Sequence, residues 1–202
     1  MTGTKADTVH YQIDTRTSQF TVQAFASGLI AVIAHSPKIA IRDWTGDIET
    51  TGDQWTNSSL KIRINARSLE VLDELRDADR RELHRVMNEE VLHSAAFPEI
   101  LFESETVEAE KLKQDLYRVR VKGQLRLHGI TNPQTVEAQL TVGADTARAH
   151  GDFKVKQSHF DIPIASIAGG TLKLQDELKV SFYVVARKVA DKSQAHRSAG
   201  TS

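Results

Sequence analysis

Along most of this chain apolar and polar residues take turns. In "SQFTVQAF" Phe20, Val22 and Ala24 share one side, and in "SLKIRINA" Leu60, Ile62 and Ile64 stand opposite Lys61, Arg63 and Asn65. A period of two puts such sets on opposite faces of an extended strand, one turned to a core and the other to water. "EILFESET" carries Ile100 and Phe102 in the same way. "YRVRVKGQLRLHG" extends the rule over an unusually long run, with Tyr117, Val119, Val121, Gly123, Leu125 and Leu127 on one face and His128 among the polar residues of the other. "TVEAQLTV", "GDFKVKQ" and "ELKVSFYVVA" add three more strands, whose inward residues include Leu140, Phe153 and Phe182. The stretch from Lys38 to Glu49 makes the eighth. Its alternation slips near Asp43, where Ile39 and Ile41 give way to Trp44, Gly46 and Ile48, and this predicts a β-bulge there.

Eight antiparallel strands with one apolar face each can close into a barrel that leaves no exposed edge. The expected fold is therefore all-β, an eight-stranded antiparallel barrel. A two-sheet sandwich satisfies the same pattern, but the length of the run from Tyr117 to Gly129 fits tall, tilted barrel strands better. One segment breaks the rule: from Leu69 to His93 the chain lacks Gly and Pro and is rich in Glu, Arg, Leu and Met, which predicts a helical insertion between the third and fourth strands. Asp79 stands three residues before Glu82, a capping-box spacing, so a helix is expected to begin at Asp79 and to align Leu83, Met87 and Val91 on one face. A shorter helical piece is expected around Leu72 and Leu75, and Pro98 ends the insertion. His128 is expected at a strand end, pointing outward just before a turn made by Gly129, Asn132 and Pro133. Residues 9–188 read as one domain. The small, polar, aperiodic stretch 189–202 cannot bury enough surface to offset its ordering entropy and reads as a disordered tail.

Composition narrows the function classes. With 26 basic against 27 acidic residues, the chain of 202 lacks the electrostatic surplus that draws a protein to nucleic acid. It has no cysteine, which removes disulfides, thiolate nucleophiles and cysteine metal sites together. "MTGTKADTVHYQID" has no apolar run of the secretory kind, and no segment approaches the roughly 18 continuous apolar residues of a membrane-spanning helix. The expected location is the cytoplasm, or the periplasm for a processed mature form.

Eight histidines invite a search for a metal or catalytic site. Glu90-x-x-His93 puts two ligand types on one helical face, with Glu82 and His84 one or two turns earlier. Yet no second such motif supplies the remaining ligands, and a solvated helix face is the expectation. His150 and His159 read as strand-end or loop residues. Ser36 lacks both a nucleophile elbow and a local base, and "AGGTLKLQD" lacks the Gly-Lys-Ser/Thr ending of a phosphate loop. His35 closes the most apolar stretch of the chain and is a candidate for orienting a polar ligand head.

Without a catalytic grouping, a closed barrel has one evident use: an interior not filled by side chains can hold an apolar chain, which escapes water at about 25 cal/mol per Å² of apolar area buried. A barrel packed solid satisfies the same sequence. "HYQIDTRTSQFTVQAF", "GDIETTGDQWTNSSLKIRINARSL", "AAFPEILFES", "VRVKGQLRLHGITNPQTVEAQLTV" and "ELKVSFYVVARK" are similar, in order and spacing, to the successive blocks of the YceI-like family, from about Val9 to Lys188. That resemblance implies a lipocalin-like barrel with a helical insertion, whose members bind polyisoprenoid, quinone-like or fatty-acyl amphiphiles in an interior tunnel. Many of its members are exported.

The expected activity is non-enzymatic binding, carriage or sequestration of such a lipid, with no cofactor beyond it and a small amphiphile as partner; a homodimer stays open. Candidate ligand-binding positions are Phe20, Val22, Leu29, Ile33, Trp44, Leu60, Ile62, Phe102, Val119, Leu125, Phe153 and Phe182, with His35 as head-group partner. Two alternatives remain. One is an enzyme on the same barrel using His35 with Asp43 or Arg42 at its mouth, and the other is a partner-binding module acting through the helical insertion.

Overall fold

All eight alternating runs form strands, and the one from Lys38 to Glu49 is broken in the middle. The computed structural model describes residues 8–27, 37–52, 54–164, 166–167 and 172–189, with the backbone alone for 26–27, 166–167 and 172–173. The chain runs through β1 (Thr8–Ile13), β2 (Gln19–Gln23), β3 (Ala26–Ser27), β4 (Lys38–Ile41), β5 (Trp44–Thr51), β6 (Gln54–Asn65) and β7 (Leu69–Val71). Helix α1 (Asp77–Val86) follows and continues as a π-helical turn, Met87–Val91. Then come β8 (Glu99–Lys111), β9 (Leu116–Leu127), β10 (Ile130–Val142), β11 (Thr146–Lys156), β12 (Ser166–Ile167), β13 (Leu172–Leu174) and β14 (Glu177–Lys188). The predicted tail falls almost wholly at 190–202, outside the described residues.

Antiparallel pairing runs β1–β5–β6–β8–β9–β10–β11–β14 and returns to β1, which closes an eight-stranded barrel. β12, β13 and β3 form a small separate sheet. At one end of the barrel β14 leaves β1 and pairs with β2, which pairs with β4, which pairs with β7. The corner between β1 and β2 is tied by the Ser18 hydroxyl, which donates to Asp14 O (2.7 Å) and accepts from Val185 N (2.8 Å).

The parity slip near Asp43 takes a different form from the one expected. Ile41 pairs with Leu69 and Trp44 with Ile64, so Arg42 and Asp43 face Asn65 and the 3₁₀ turn Ala66–Ser68. Both strands are interrupted, because the surplus residues sit in the partner strand. The register shifts lie elsewhere, between Glu49 and Thr51 and between Ser104 and Thr106. The second of these moves the inward set of β8 from Ile100 and Phe102 to Val107 and Ala109.

The insertion also differs at its start. Leu69–Val71 is a strand, not helix, because pairing with Ile39–Ile41 outweighs its helical composition. The helix begins at Asp77 rather than Asp79, and Arg76 at its N-cap makes no side-chain capping bond. Asp79 therefore lies in the first turn, where it pairs with Arg76 (2.7 Å) and suits the positive end of the helix. No strand pairs with the outer side of β7 among the described residues. α1 packs against β7 and against the π turn that continues it.

That hairpin corrects the assignment of His128. Its loop is two residues, His128 (φ 52°) and Gly129 (φ 76°), the positive-φ pair that a tight hairpin twist requires, while Asn132 and Pro133 lie inside β10. A side chain at Gly129 would collide with the Phe97 ring. Pro133 is tolerated because β10 meets β11 only from Glu137 onward, leaving that stretch as an edge. The His128 ring is held rather than free: His93 Nδ1 lies 2.8 Å from its Nε2, Phe160 O lies 3.0 Å from its Nδ1, and Phe97 packs on it edge-on. A carbonyl only accepts, so Nδ1 of His128 carries the hydrogen, its Nε2 accepts, and His93 donates. This bond ties the end of the insertion to the barrel.

Outward positions carry cross-strand ion pairs, among them Arg120–Glu137 (2.8 Å), Lys122–Glu108 (3.3 Å) and Lys179–Asp152 (2.8 Å). Such a face is the reverse of the apolar outer band of a membrane barrel. No helix among the described residues is long and apolar enough to cross a membrane.

Candidate functional site

The barrel is solid at one end and hollow toward the other. At the solid end Ala147 and Ala186, cross-strand partners, are 3% and 1% exposed, and Tyr11 packs on Trp55 with ring centroids 5.3 Å apart. Trp55 forms the floor of a cavity of about 1210 Å³ that extends to the helical insertion. A sealed core of close-packed side chains would bury its largest members completely. Here no large side chain is below 2% exposure among the described residues, and the inward Phe102, Val136, Phe153 and Phe182 stay half-buried although they face the interior. Their accessible surface is the cavity wall.

Of the sequence-predicted positions, Phe20, Val22, Leu60, Ile62, Phe102, Val119, Leu125, Phe153 and Phe182 all line this cavity. Trp44 does not. It is buried at 5% exposure behind the wall, with Phe20 edge-on against it at 4.8 Å, so it supports a lining residue. Leu29, Ile33 and His35 lie outside the described residues, as does Ser36. The helical face Leu83, Met87 and Val91 is turned into the cavity and forms part of its wall.

The other candidate groupings are dispersed. Arg42 is spent on Glu70 (2.7 Å) and Asp43 accepts from Asn65 (2.9 Å). Both are exposed at the strand break and neither lines the cavity, so they do not stand at its mouth. Glu90 is engaged by Arg85 (2.8 Å), which also holds Glu82 and Glu89, while His93 turns to His128. The Arg85 guanidinium keeps the Glu82 carboxyl below the usual carboxylate range. Among the described residues no group of three or more His, Asp or Glu side chains is placed to hold a metal ion. His150 faces outward in mid-strand and His159 lies in the 3₁₀ turn Gln157–Phe160.

Sequence reasoning missed the polar members of the wall. Trp55 sits out of phase with Leu60 and Ile62, and only the register shift after Glu49 brings it inward. Gln157 is 4% exposed and lines the cavity at the helical end, where its Nε2 donates to Gln175 O (3.0 Å) and its backbone N to Asp176 O (2.9 Å). Neither residue has a local signal, since both positions depend on distant pairing.

The family model for the YceI-like domain matches residues 11–186. This chain belongs to the YceI-like family. Solved structures share its fold at low identity. BcnA of Burkholderia cenocepacia is 16% identical with a TM-score of 0.66, over 86% of this chain and 98% of that one. A polyisoprenoid binding domain from Saccharophagus degradans, implicated in plant cell wall breakdown, is 13% identical with a TM-score of 0.65, over 89% and 98%. A Campylobacter jejuni YCEI protein is 14% identical with a TM-score of 0.59, over 78% and 88%. No curated protein matches the sequence. The lipocalin-like barrel with its insertion between the third and fourth strands is thus the YceI-like architecture.

Proposed function

We propose that this YceI-like protein binds a long amphiphilic lipid, of isoprenoid or fatty-acyl type, and carries or sequesters it without catalysis. The observation that carries the reading is the hollow interior: about 1210 Å³ bounded by aliphatic and aromatic side chains from every strand of the ring. At roughly 30 Å³ per carbon-sized group, the volume of a water in the liquid, such a space holds on the order of 40 carbons. Each buried methylene contributes about 0.8 kcal/mol, so a long chain binds firmly without specific polar contacts. The solved relative described as a polyisoprenoid binding domain supports this reading.

The helical insertion turns its apolar face to the cavity, which leaves a partner-binding role without that surface. Organic extraction and native mass spectrometry of protein purified from its own source test the proposal. A co-purifying lipid within the cavity's capacity is the expected result. Absence of any lipophile, together with no binding of a prenyl and acyl panel, would refute it.

A further inference from the structure

We propose that the cavity selects amphiphiles whose head group donates a hydrogen bond and carries no negative charge, an alcohol-type head above all, and that it discriminates against phosphate and carboxylate heads. This rests on the lipid-binding reading above and names the head-group chemistry of the same site. Two independent observations at the helical end of the barrel carry it.

The first is a buried acceptor. Gln157, 4% exposed, is fixed by its Nε2, which donates to Gln175 O at 3.0 Å and approaches Asp176 O at 3.5 Å. Flipping the amide would set its oxygen against those two carbonyls, so Oε1 is the atom left toward the cavity that the residue lines. Oε1 has no donor among the described residues. No side-chain polar atom among them is both inaccessible and unpartnered, so Oε1 keeps accessible surface, and for this residue that surface is the cavity. A buried carbonyl oxygen without a donor favours a ligand that brings one, and an anionic head brings only acceptors.

The second is the charge of the wall. Its ionisable residues among those described are Asp73, Glu74, Asp79 and Glu82, all carboxylates, and no Lys, Arg or His lines it. Asp79 and Glu82 are paired with Arg76 and Arg85, which stand off the wall. Glu74 has no ionic partner among the described residues, and Asp73 accepts from Lys38 N at 3.1 Å. The internal stretches without described side chains, 26–36, 53 and 165–173, hold two groups that can carry positive charge, His35 and Lys173, and no Arg. A phosphate or carboxylate drawn to this end by its buried chain would meet like charge and find no cation on the described wall to offset its lost hydration. A hydroxyl would meet an acceptor.

The test compares four ligands of one chain: geranylgeraniol, geranylgeranylamine, geranylgeranyl diphosphate and the tetraene hydrocarbon that lacks a head group. Each is titrated against the fluorescence of Trp44 and Trp55, with calorimetry as a check. The alcohol and the amine should bind at least about tenfold more tightly than the diphosphate, the advantage of one neutral hydrogen bond plus unscreened repulsion. Gln157→Leu should weaken the alcohol by up to about tenfold and leave the hydrocarbon unchanged. Glu74→Lys, at an exposed position where folding is not at stake, should narrow the gap for the diphosphate, more so at low salt. Equal or tighter binding of the diphosphate by the unaltered protein would overturn the inference while leaving lipid binding intact. An unchanged alcohol affinity in folded Gln157→Leu would do the same. Failure of all four ligands to bind would overturn both readings.

Discussion

Ala149→Phe separates a hollow barrel from a packed one. Ala149 lies in mid-β11 between Leu140 and Val184, lines the cavity and remains half-buried there. Phenylalanine adds six heavy atoms, roughly 180 Å³ at about 30 Å³ each, to a cavity of about 1210 Å³. The space lost equals about six carbons of ligand chain, whose burial is worth up to about 5 kcal/mol at about 0.8 kcal/mol per methylene. A series of straight-chain alcohols of increasing length, titrated against the protein and the variant, reads this directly. Affinity should rise about fourfold per carbon in both, from the same methylene contribution. In the variant the rise should stop about six carbons earlier. Urea unfolding should show stability unchanged or slightly increased, since the new ring enters open space. An unaltered chain-length limit, combined with the loss of about 1–3 kcal/mol typical of overpacking, would show that no space exists beside Ala149 and would refute the hollow interior.

Further outcomes follow from single residues. Gly123→Ala would drive its Cβ into Glu103 O and place it 2.9 Å from the Phe102 ring, so it should cost about 1–3 kcal/mol in urea unfolding, with the chain-length limit little changed. His128→Asn tolerates the positive φ but removes the acceptor of His93; hydrogen exchange should accelerate across 77–92 and leave β9 and β10 protected, because the tie and not the hairpin is lost. Asp176 accepts from the Ser158 hydroxyl (2.6 Å) and the Ser158 backbone N–H (2.7 Å), and the hydroxyl is the larger cause holding its carboxyl below the ordinary range. Its stabilisation is therefore complete above the unfolded value near 3.8 and lost as pH falls through the lower folded value. Asp176→Asn should remove that part of the acid dependence and leave stability at pH 7 reduced; an acid limb identical to that of the unaltered protein would contradict the assignment.

The inward face of each strand is legible in the alternation, which is why Phe20, Ile62, Val119 and Phe182 were found without a structure. Trp44 shows the limit of that signal, since an inward residue can stand behind the wall as readily as on it. His93 and His128 are 35 residues apart, and nothing near either announces that one ring will donate to the other. Asp43 or Arg42 was expected beside His35 at the barrel mouth, but the strand break leaves both exposed, on Asn65 and Glu70 respectively.

The sequence by itself determined the two-residue period, the eight strands, the insertion and the family, because these depend on local order: which residue faces which side, and where Gly, Pro and charge interrupt the pattern. Only the tertiary structure decided whether the interior is hollow. Eight strands closing around mid-sized side chains leave space or fill it according to register, and the shifts at Glu49–Thr51 and Ser104–Thr106 that set register here come from partners far along the chain. Gln157 depends on the same cause: its amide is fixed by carbonyls 18 and 19 residues away, and that fixed orientation gives an ordinary glutamine a set direction in the wall.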